Sequence, residues 1–292
     1  MEDFYKPEIL KALESYRGMM VVVKYGGAAM QSDGLKRSVA QDAFRLAAAG
    51  AKVALVHGGG PELSAMQGRL GIETKFVDGL RYTDGETMDA ALMTLCGKLN
   101  KDLVRLLENE GARAAGISGI DGGLLRCERQ KSPDLGFVGE IRAVDTGLLE
   151  TLLGAGYIPV VSTVGLGTDG EAFNINADTA AGRIAASLFA DRFITLSDIP
   201  GVLRDMNDPS SLIREIRTEE AERYIEAGVI SGGMIPKIRG LTDAVLRGAR
   251  AASIIDGRVP HALALALCSN AGTESGAPEG AACRISGTTV TL

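Results

Sequence analysis

The sequence predicts an α/β protein in which helices cover both faces of a mainly parallel central sheet. Short runs that are apolar throughout recur along the chain, and stretches with helical spacing separate several of them. Strands of a parallel sheet are typically apolar throughout because both of their faces are covered, and helices usually connect them. Hydrophobic residues make up 46% of the 292 residues, which is enough to fill a large core.

The individual elements follow from this pattern. We expect a helix over 7–17, because Pro7 suits a first helical turn and Gly18 suits a stop. Helices are also expected after each of the first two strands. The segment 118–138 has no long periodicity, so it predicts a hairpin or a lid outside the core. The apolar runs predict strands at 19–24, 52–56, 114–117, 158–162, 193–196 and 252–255.

A segment rich in Gly, Asp and Thr at 164–170 predicts a loop roughly halfway along the chain. We expect it to separate an N-terminal lobe, 18–165, from a C-terminal lobe, 166–292. The helix within 1–17 precedes both lobes and is a candidate oligomerisation element. Small polar residues at 270–282 predict a further loop near the C-terminus.

Charge and cysteine usage exclude several classes of function. The net charge is −6 and no run of Lys or Arg occurs, which argues against a nucleic-acid partner. The first ten residues lack an apolar signal region, and no apolar stretch is long enough to span a bilayer, so we expect a cytoplasmic protein without a membrane partner. Four cysteines without a C-x-x-C pair, with two histidines, favour free thiols over a zinc site.

The first candidate motif is Lys24-Tyr25-Gly26-Gly27, directly after the first predicted strand. Open α/β sheets bind ligands at the carboxyl ends of their strands, and paired glycines let backbone amides face an anion. An ordinary strand-ending lysine in a turn fits the same residues, so this motif alone leaves both interpretations open.

The second motif, His57-Gly58-Gly59-Gly60-Pro61, follows the second predicted strand. Three consecutive glycines cost conformational entropy, and they allow backbone amides to approach a phosphate at a helix N-terminus. The motif is not a P-loop, and Leu63 occupies the third glycine position of the dinucleotide fingerprint. We interpret His57 as a structural residue rather than a base.

Three further motifs supply charged and polar groups. Asp178, in the run from Asn174 through Asn176 to Asp178, either caps a helix or orients the lysines. Lys237 follows a glycine pair at a helix start, where a cation is electrostatically unfavourable unless an anion lies there. Arg81 can bind a carboxylate through two hydrogen bonds, although a lone arginine is more often structural. Two lysines, two glycine-rich turns and an aspartate suit phosphoryl transfer.

The chain resembles the amino acid kinase family over nearly its whole length. Many short motifs in one order are far more specific than any motif alone. The resemblance is carried, in family order, by VVVKYGG, HGGGP, GLRYTD, GISGIDGGL, FVGEI, NINADTAAG, LSDIPGVL, GGMIPK and IIDGRVPHAL.

This resemblance implies an open three-layer αβα sandwich that transfers a phosphoryl group from ATP to the γ-carboxylate of N-acetyl-L-glutamate, in arginine biosynthesis. The N-terminal lobe would bind the acceptor, and the C-terminal lobe would bind ATP with Mg²⁺ held by its phosphates rather than by side chains. The implied roles are catalytic for Lys24, Lys237 and Asp178; phosphate-binding for Gly26, Gly27, Gly59 and Gly60; substrate-binding for Gly59, Gly60, Arg81, Asn174 and Asn176; and nucleotide-binding for Ser197, Asp198 and Lys237.

The resemblance also implies a homodimer, and helix 7–17 resembles the helix that joins dimers into a hexamer in arginine-inhibited members. The stretch 270–282 departs from the family pattern near the expected effector site, so a response to L-arginine is left open. The alternatives are a family member that acts on an aminoadipate derivative or UMP, and a non-catalytic amino-acid sensor of the same fold. A dehydrogenase is disfavoured by the incomplete fingerprint.

Overall fold

The computed structural model describes residues 4–30, 32–77, 79–274 and 287–292. Within these residues the strands are β1 (Met20–Tyr25), β2 (Lys52–His57), β3 (Phe76–Val77), β4 (Leu80–Arg81), β5 (Ala114–Gly119), β6 (Leu125–Lys131), β7 (Asp134–Val144), β8 (Ile158–Gly167), β9 (Ala172–Asn174), β10 (Arg192–Ser197), β11 (Val202–Leu203), β12 (Leu212–Ile213), β13 (Glu215–Arg217), β14 (Ala252–Asp256) and β15 (Gly287–Thr291).

The helices alternate with these strands. A π-helical segment, Leu92–Leu99, joins the fourth and fifth helices into one continuous rod. In the described residues the helices are α1 (Pro7–Glu14), α2 (Asp33–Ala48), α3 (Gly60–Leu70), α4 (Gly85–Ala91), α5 (Asn100–Asn109), α6 (Gly147–Gly154), α7 (Ala177–Ser187), α8 (Ala221–Glu226), α9 (Met234–Leu246) and α10 (Ala262–Glu274).

One eleven-stranded sheet runs through the described part of the chain, in the order β13-β15-β14-β10-β1-β2-β8-β6-β7-β9, with β5 also paired to β8. Its centre is parallel, because β14, β10, β1, β2 and β8 run in one direction. Strand β1 lies between β2 and β10, so residues at its carboxyl end lie in the middle of one edge of the sheet.

The core lies on both faces of this sheet. Val21 and Val23 of β1 pack into the cluster that contains residues of α1, α2, α5 and α10, whereas Val22 packs into the cluster with α7 and α9. This division follows from the two-residue period of a strand, which points successive side chains to opposite faces. The predicted three-layer sandwich with a mainly parallel sheet is therefore confirmed.

The predicted loop at 164–170 was wrong in extent, because β8 continues through Gly167 and turns back into β9. The glycines here serve close strand packing instead of a loop. A Cβ on Gly165 would lie 2.5 Å from Sγ of Cys127, and one on Gly167 would collide with the ring of Phe173. The division into lobes 18–165 and 166–292 stays a prediction, and its boundary falls inside a strand.

Three other boundaries differ from expectation. Helix α1 ends at Glu14, and the residues up to Gly18 form turns. The segment 118–138 does contain most of a hairpin, β6–β7, but β6 pairs with β8 in the central sheet and Cys127 is fully buried, so the hairpin belongs to the core. Helix α10 runs through Glu274, so 270–274 are helical and not part of the loop predicted at 270–282; 275–282 lie outside the described residues.

Among the described residues, no helix has both the length and the apolar character that a bilayer span requires.

Candidate active site

Lys24 lies at the carboxyl end of β1, in register with Val56 of β2 and Thr195 of β10. Only 8% of the residue is exposed. A buried ammonium group is costly unless a counter-charge compensates it. Here the Lys24 Nζ lies 2.9 Å from Oδ1 of Asp178.

The side chain of Asp178 is available to pair with Lys24 because another residue caps α7. The cap of α7 is Asn176, whose Oδ1 accepts hydrogen bonds from the amides of Asp178, at 3.0 Å, and Thr179, at 3.1 Å. Capping by Asn176 leaves the Asp178 carboxylate available to the lysine, which decides between the two interpretations of Asp178. Apart from the ion pair, its buried Oδ1 has no hydrogen-bond partner among the described residues.

The two glycine-rich turns lie side by side because they follow adjacent strands, with Tyr25 paired to His57. The Gly58 amide donates to the Tyr25 carbonyl at 3.2 Å. A Cβ on Gly26 would lie 3.7 Å from both the Gly58 nitrogen and the Lys24 Nζ, so the first turn lies against both. The turns therefore bring backbone amides and a lysine ammonium together at one edge of the sheet.

Gly59 is packed tightly against the π-helical segment. A Cβ on Gly59 would lie 2.5 Å from Cδ2 of Leu99 and 2.8 Å from Cδ2 of Leu95, so only glycine fits without displacement. Gly60 starts α3 and has open space around it. The first amides of a helix lack intrahelical partners and carry positive potential, which favours an anion beside this turn.

His57 is fully buried and does not face the site. Its Nδ1 lies 2.9 Å from the Gly58 carbonyl oxygen, and its Nε2 lies 3.2 Å from Nδ2 of Asn100. Burial lowers the pKa of His57 to about 4, so the imidazole is neutral at physiological pH. This geometry agrees with the structural interpretation of His57.

Lys237 lies in the first turns of α9 and is half-buried. It lines a small cavity together with Asp178, Phe193 and Thr195. In the described residues no ion pair joins Lys237 to Asp178, so the aspartate contacts one of the two lysines that we expected it to orient. A larger cavity of about 440 Å³ extends from Asp178 between α7 and α9.

Arg81 connects the β3–β4 hairpin to the start of α3. Its Nη2 donates to the Gly60 carbonyl at 3.0 Å and to Oγ of Ser64 at 2.8 Å, and its Nη1 donates to the Gln67 side chain. All three acceptors are neutral, and burial lowers the pKa of Arg81 from its ordinary value. The positive charge beside Gly60 is therefore left without a carboxylate among the described residues.

The two asparagines with a predicted substrate role differ in their contacts. Asn174 ends β9, is half-buried, and donates through Nδ2 to Oγ1 of Thr83 at 3.3 Å, two residues from Arg81. The Oδ1 of Asn176 is occupied by capping α7. Of the two, Asn174 is thus the residue that the structure links to the Arg81 hairpin.

Two of the three expected nucleotide-binding residues, Ser197 and Asp198, lie at the end of the strand next to that of Lys24. Ser197 ends β10, in register with Asp256 of β14, and its hydroxyl donates to Oδ1 of Asp198 at 3.1 Å. Asp256 in turn accepts two hydrogen bonds from the Arg258 guanidinium, at 2.9 and 2.8 Å. The carboxyl ends of β1, β10 and β14 therefore form one continuous polar edge.

Two groups at this site were not singled out from the sequence. The Asp256–Arg258 pair follows the strand at 252–255, and a charged pair directly after a buried strand could have indicated it. Asn100 supports His57 from inside the helical rod, and no sequence signal separates such a buried asparagine from an exposed one. The described residues contain no group of three His, Cys, Asp or Glu that could hold a metal ion.

This arrangement defines a class of protein: an α/β fold in which a buried lysine at the end of a central strand pairs with an aspartate of α7, beside two glycine-rich turns. The model of the amino acid kinase family matches residues 19–256. The chain belongs to the amino acid kinase family, which confirms the resemblance drawn from the sequence, and the protein is a kinase.

Relatives within the family share nearly half of the sequence. The chain is 48% identical over 265 residues to an acetylglutamate kinase of Clostridioides difficile (strain 630), covering 91% of this chain and 93% of that protein. It is 47% identical over 268 residues to an acetylglutamate kinase of Thermosynechococcus vestitus, covering 92% and 91%. A solved structure of carbamate kinase from Giardia lamblia bound to AMP-PNP shares the fold, with a TM-score of 0.65, 16% identity, and coverage of 94% and 98%.

Proposed function

We propose that the protein transfers the γ-phosphoryl group of ATP to the γ-carboxylate of N-acetyl-L-glutamate, giving N-acetyl-L-glutamyl 5-phosphate in arginine biosynthesis. The observation that carries this proposal is the similarity to acetylglutamate kinases, at 48% identity over 91% of the chain. The residues that carry charge at the site are of the types that such a transfer needs.

Lys24 and Lys237 stabilise the negative charge that spreads over the transferring phosphoryl group, and Asp178 orients Lys24. Phosphoryl transfer needs chiefly positioning and charge stabilisation, which fixed lysines and amides provide. The 2.9 Å ion pair and the cavity that Lys237 shares with Asp178 support these roles. The amides of Gly26, Gly27, Gly59 and Gly60 hold phosphate oxygens.

The acceptor lies against the Arg81 hairpin, with Gly59, Gly60, Asn174 and Asn176 as further contacts. The uncompensated guanidinium beside Gly60 supports this placement, because it can bind a carboxylate with charge-assisted hydrogen bonds. The γ-carboxylate that attacks is already ionised at neutral pH. The reaction therefore needs no general base, and the proposal gives the buried, neutral His57 no such role.

ATP lies over the polar edge that Ser197 and Asp198 form next to Lys237. The ammonium groups of the two lysines fit a site for phosphate oxygens, and Asp178 orients Lys24 beside them. Mg²⁺ would enter with the nucleotide, held by its phosphate oxygens, and would neutralise part of their charge. In this proposal the acceptor belongs to lobe 18–165 and the nucleotide to lobe 166–292.

The assembly and setting of the enzyme are also proposals. We infer a homodimer that α1 can join into a hexamer, with L-arginine as a candidate effector, in the cytoplasm and without a nucleic-acid partner. The net charge of −6 and the free thiols of Cys96 and Cys127 support this setting. Helix α1 buries Ile9 and Leu13 against the same chain, which leaves its opposite face for another subunit.

A coupled ADP-release assay with a panel of acceptors tests the function. N-acetyl-L-glutamate is expected to support turnover, whereas N-acetyl-L-aminoadipate and UMP are not. Turnover with UMP and none with N-acetyl-L-glutamate would reject the proposal. Binding of an amino acid without any ATP turnover would instead favour a sensor of the same fold.

A further inference from the structure

A chain of buried hydrogen bonds leads from the interior to the second glycine-rich turn. The Nδ2 of Asn100 lies 2.8 Å from the Val160 carbonyl oxygen and 3.2 Å from that of Ile117. It also lies 3.2 Å from Nε2 of His57. The other end of the amide, Oδ1, faces Nζ of Lys101 at 3.1 Å. Asn100 and His57 are both almost completely buried.

This chain determines which imidazole nitrogen carries the proton. Two carbonyl oxygens can only accept, so the Asn100 atom that faces them must be the NH₂ group. The same NH₂ faces Nε2 of His57, and a protonated Nε2 would place two donors against each other. The proton of the neutral ring therefore lies on Nδ1, which donates to the Gly58 carbonyl oxygen at 2.9 Å.

The hydrogen bond to Gly58 sets the direction of the next amide. The peptide unit is planar and trans, so its N–H points opposite to its C=O. When His57 holds the Gly58 carbonyl toward the interior, the Gly59 N–H must point the other way, out of the core. Leu99, the residue before Asn100, leaves no room for a side chain at Gly59 and so packs closely against the same turn.

We propose that His57 is a positioning residue, which fixes the Gly58–Gly59 peptide so that the Gly59 amide is presented to the transferring phosphoryl group or the acceptor carboxylate. This inference rests on the proposed function, because the role of the Gly59 amide belongs to it. Burial lowers the pKa of His57 to about 4, so this hydrogen bond persists throughout the physiological pH range. His57 itself touches neither substrate.

A matched pair of substitutions tests the proposal. In His57→Asn the side-chain NH₂ lies where Nδ1 does now and can still donate to the Gly58 carbonyl. In His57→Gln the amide lies near Nε2, keeps the contact with Asn100, and loses the bond to Gly58. We expect kcat of His57→Asn to stay within several-fold of the parent, and kcat of His57→Gln to fall on the order of 100-fold, as for loss of one oxyanion donor.

Both variants leave a polar side chain of reduced size in the same buried site, so a purely structural role predicts similar losses in both. Equal kcat values for the two variants at similar melting temperatures would overturn the proposal. KM for ATP is expected to change little in either, since the amide acts on charge that develops during transfer.

A second measurement does not depend on which acceptor the enzyme uses. The ¹⁵N chemical shifts of the His57 ring in the intact protein report the tautomer directly. We expect a protonated Nδ1 and an unprotonated Nε2 at pH 7. A proton on Nε2 would overturn the proposal even if N-acetyl-L-glutamate is the substrate. Failure of the parent enzyme to use that acceptor would reject the proposed function. The tautomer result would then still decide whether His57 positions the Gly58–Gly59 peptide.

Discussion

At the scale of single residues, the charge of Lys24 is the feature on which the proposed chemistry depends most. It is buried, compensated by Asp178 alone among the described residues, and adjacent to the amides of two glycine-rich turns. When a phosphoryl group approaches, the lysine can share its charge with the incoming oxygens at little cost in reorganisation. Fixed charge of this kind is usually the largest contribution to catalysis.

Substituting either lysine is therefore expected to abolish most of the activity. Lys24→Met and Lys237→Ala should each lower kcat by roughly 10²–10³, because each removes one group that stabilises the transition state. Steady-state assays measure the loss, and circular dichroism checks that the fold persists. Lys52→Ala, at an exposed position on the neighbouring strand, is the matched control and should leave kcat unchanged. Normal activity of Lys237→Ala would remove that residue from the mechanism.

His57 gives the free energy of unfolding a defined pH dependence. Its folded pKa, about 4, lies below the ordinary value of 6.5, so between these values the unfolded chain binds more protons than the folded one. The contribution of neutral His57 to the free energy of unfolding is therefore fully present above pH 6.5, and it is lost as the pH falls toward 4. Between pH 7.5 and pH 5 the linked loss is about 2 kcal/mol.

Urea unfolding at the two pH values measures this loss. His57→Asn removes the titrating group and should lose about 2 kcal/mol less than the parent over the same interval. The half-buried His261 remains in both proteins and serves as the internal control. An identical pH dependence in the variant would show that His57 is not the group responsible.

At the scale of elements, the turn between β2 and α3 contains one tightly packed glycine, Gly59, and one glycine with free space beside it, Gly60. A Cβ on Gly59 would collide with Leu99 and Leu95, whereas a Cβ on Gly60 meets nothing within 4 Å. Gly59→Ala should therefore lower both stability, by roughly 1–3 kcal/mol, and kcat, since the amide is displaced. Gly60→Ala keeps its amide and should retain most of the stability.

Thermal unfolding and steady-state kinetics of this pair separate the two effects. A Gly59→Ala variant with parental melting temperature and kcat would contradict both the packing and the role of the amide. Gly60 starts a helix, where alanine is favoured over glycine. Its variant therefore also tests whether room for the added Cβ alone determines the change in stability.

Sequence reasoning worked where one local pattern had one physical solution. Buried strands that are apolar throughout, such as β1 and β2, and the glycine turns after them could be placed to within a residue or two. It could not choose between capping and ion pairing for Asp178, because the choice depends on Asn176 two residues earlier and on Lys24 far away in the chain. Side-chain contacts between distant segments are not encoded in local spacing.

The glycines of β8 show the opposite case, in which a local pattern has two solutions. Gly165 and Gly167 suit a loop as well as a strand that packs against Cys127 and Phe173. The second solution depends on the β6–β7 hairpin and on β9, which pair with β8 from elsewhere in the chain. The Gly, Asp and Thr content of 164–170 alone therefore misplaced this boundary.

At the scale of the whole molecule, hydrogen bonds join the N-terminal segment to α2 and to the start of α10. The buried carboxylate of Asp42 accepts hydrogen bonds from the hydroxyl of Tyr5, at 2.6 Å, and the amide of Ala264, at 3.1 Å, and lies 2.8 Å from Nδ1 of His261. This contact joins the start of the chain, α2 and α10. Helix α1 packs against the same two helices.

Light scattering with and without residues 1–17 tests the proposed assembly. We expect the full chain to form hexamers and the shortened chain to form dimers that retain turnover, because the site residues lie on other elements. Activity is measured in parallel against L-arginine concentration. Since truncation uncovers apolar surface of α2 and α10, Leu10→Glu, on the exposed face of α1, is the milder variant and should also give dimers. A full-length dimer that ignores arginine would reject this assembly and its regulation.

Transfer of the phosphoryl group to a carboxylate of N-acetyl-L-glutamate is the step on which the proposed function depends. Trapping with hydroxylamine measures this most directly, because an acyl phosphate reacts to a hydroxamate whereas phosphate esters and phosphoanhydrides do not. With ATP, Mg²⁺ and N-acetyl-L-glutamate, we predict one hydroxamate formed for each ADP released, and almost none with Lys24→Met. Release of ADP without hydroxamate, or hydroxamate formation with another acceptor only, would contradict the account.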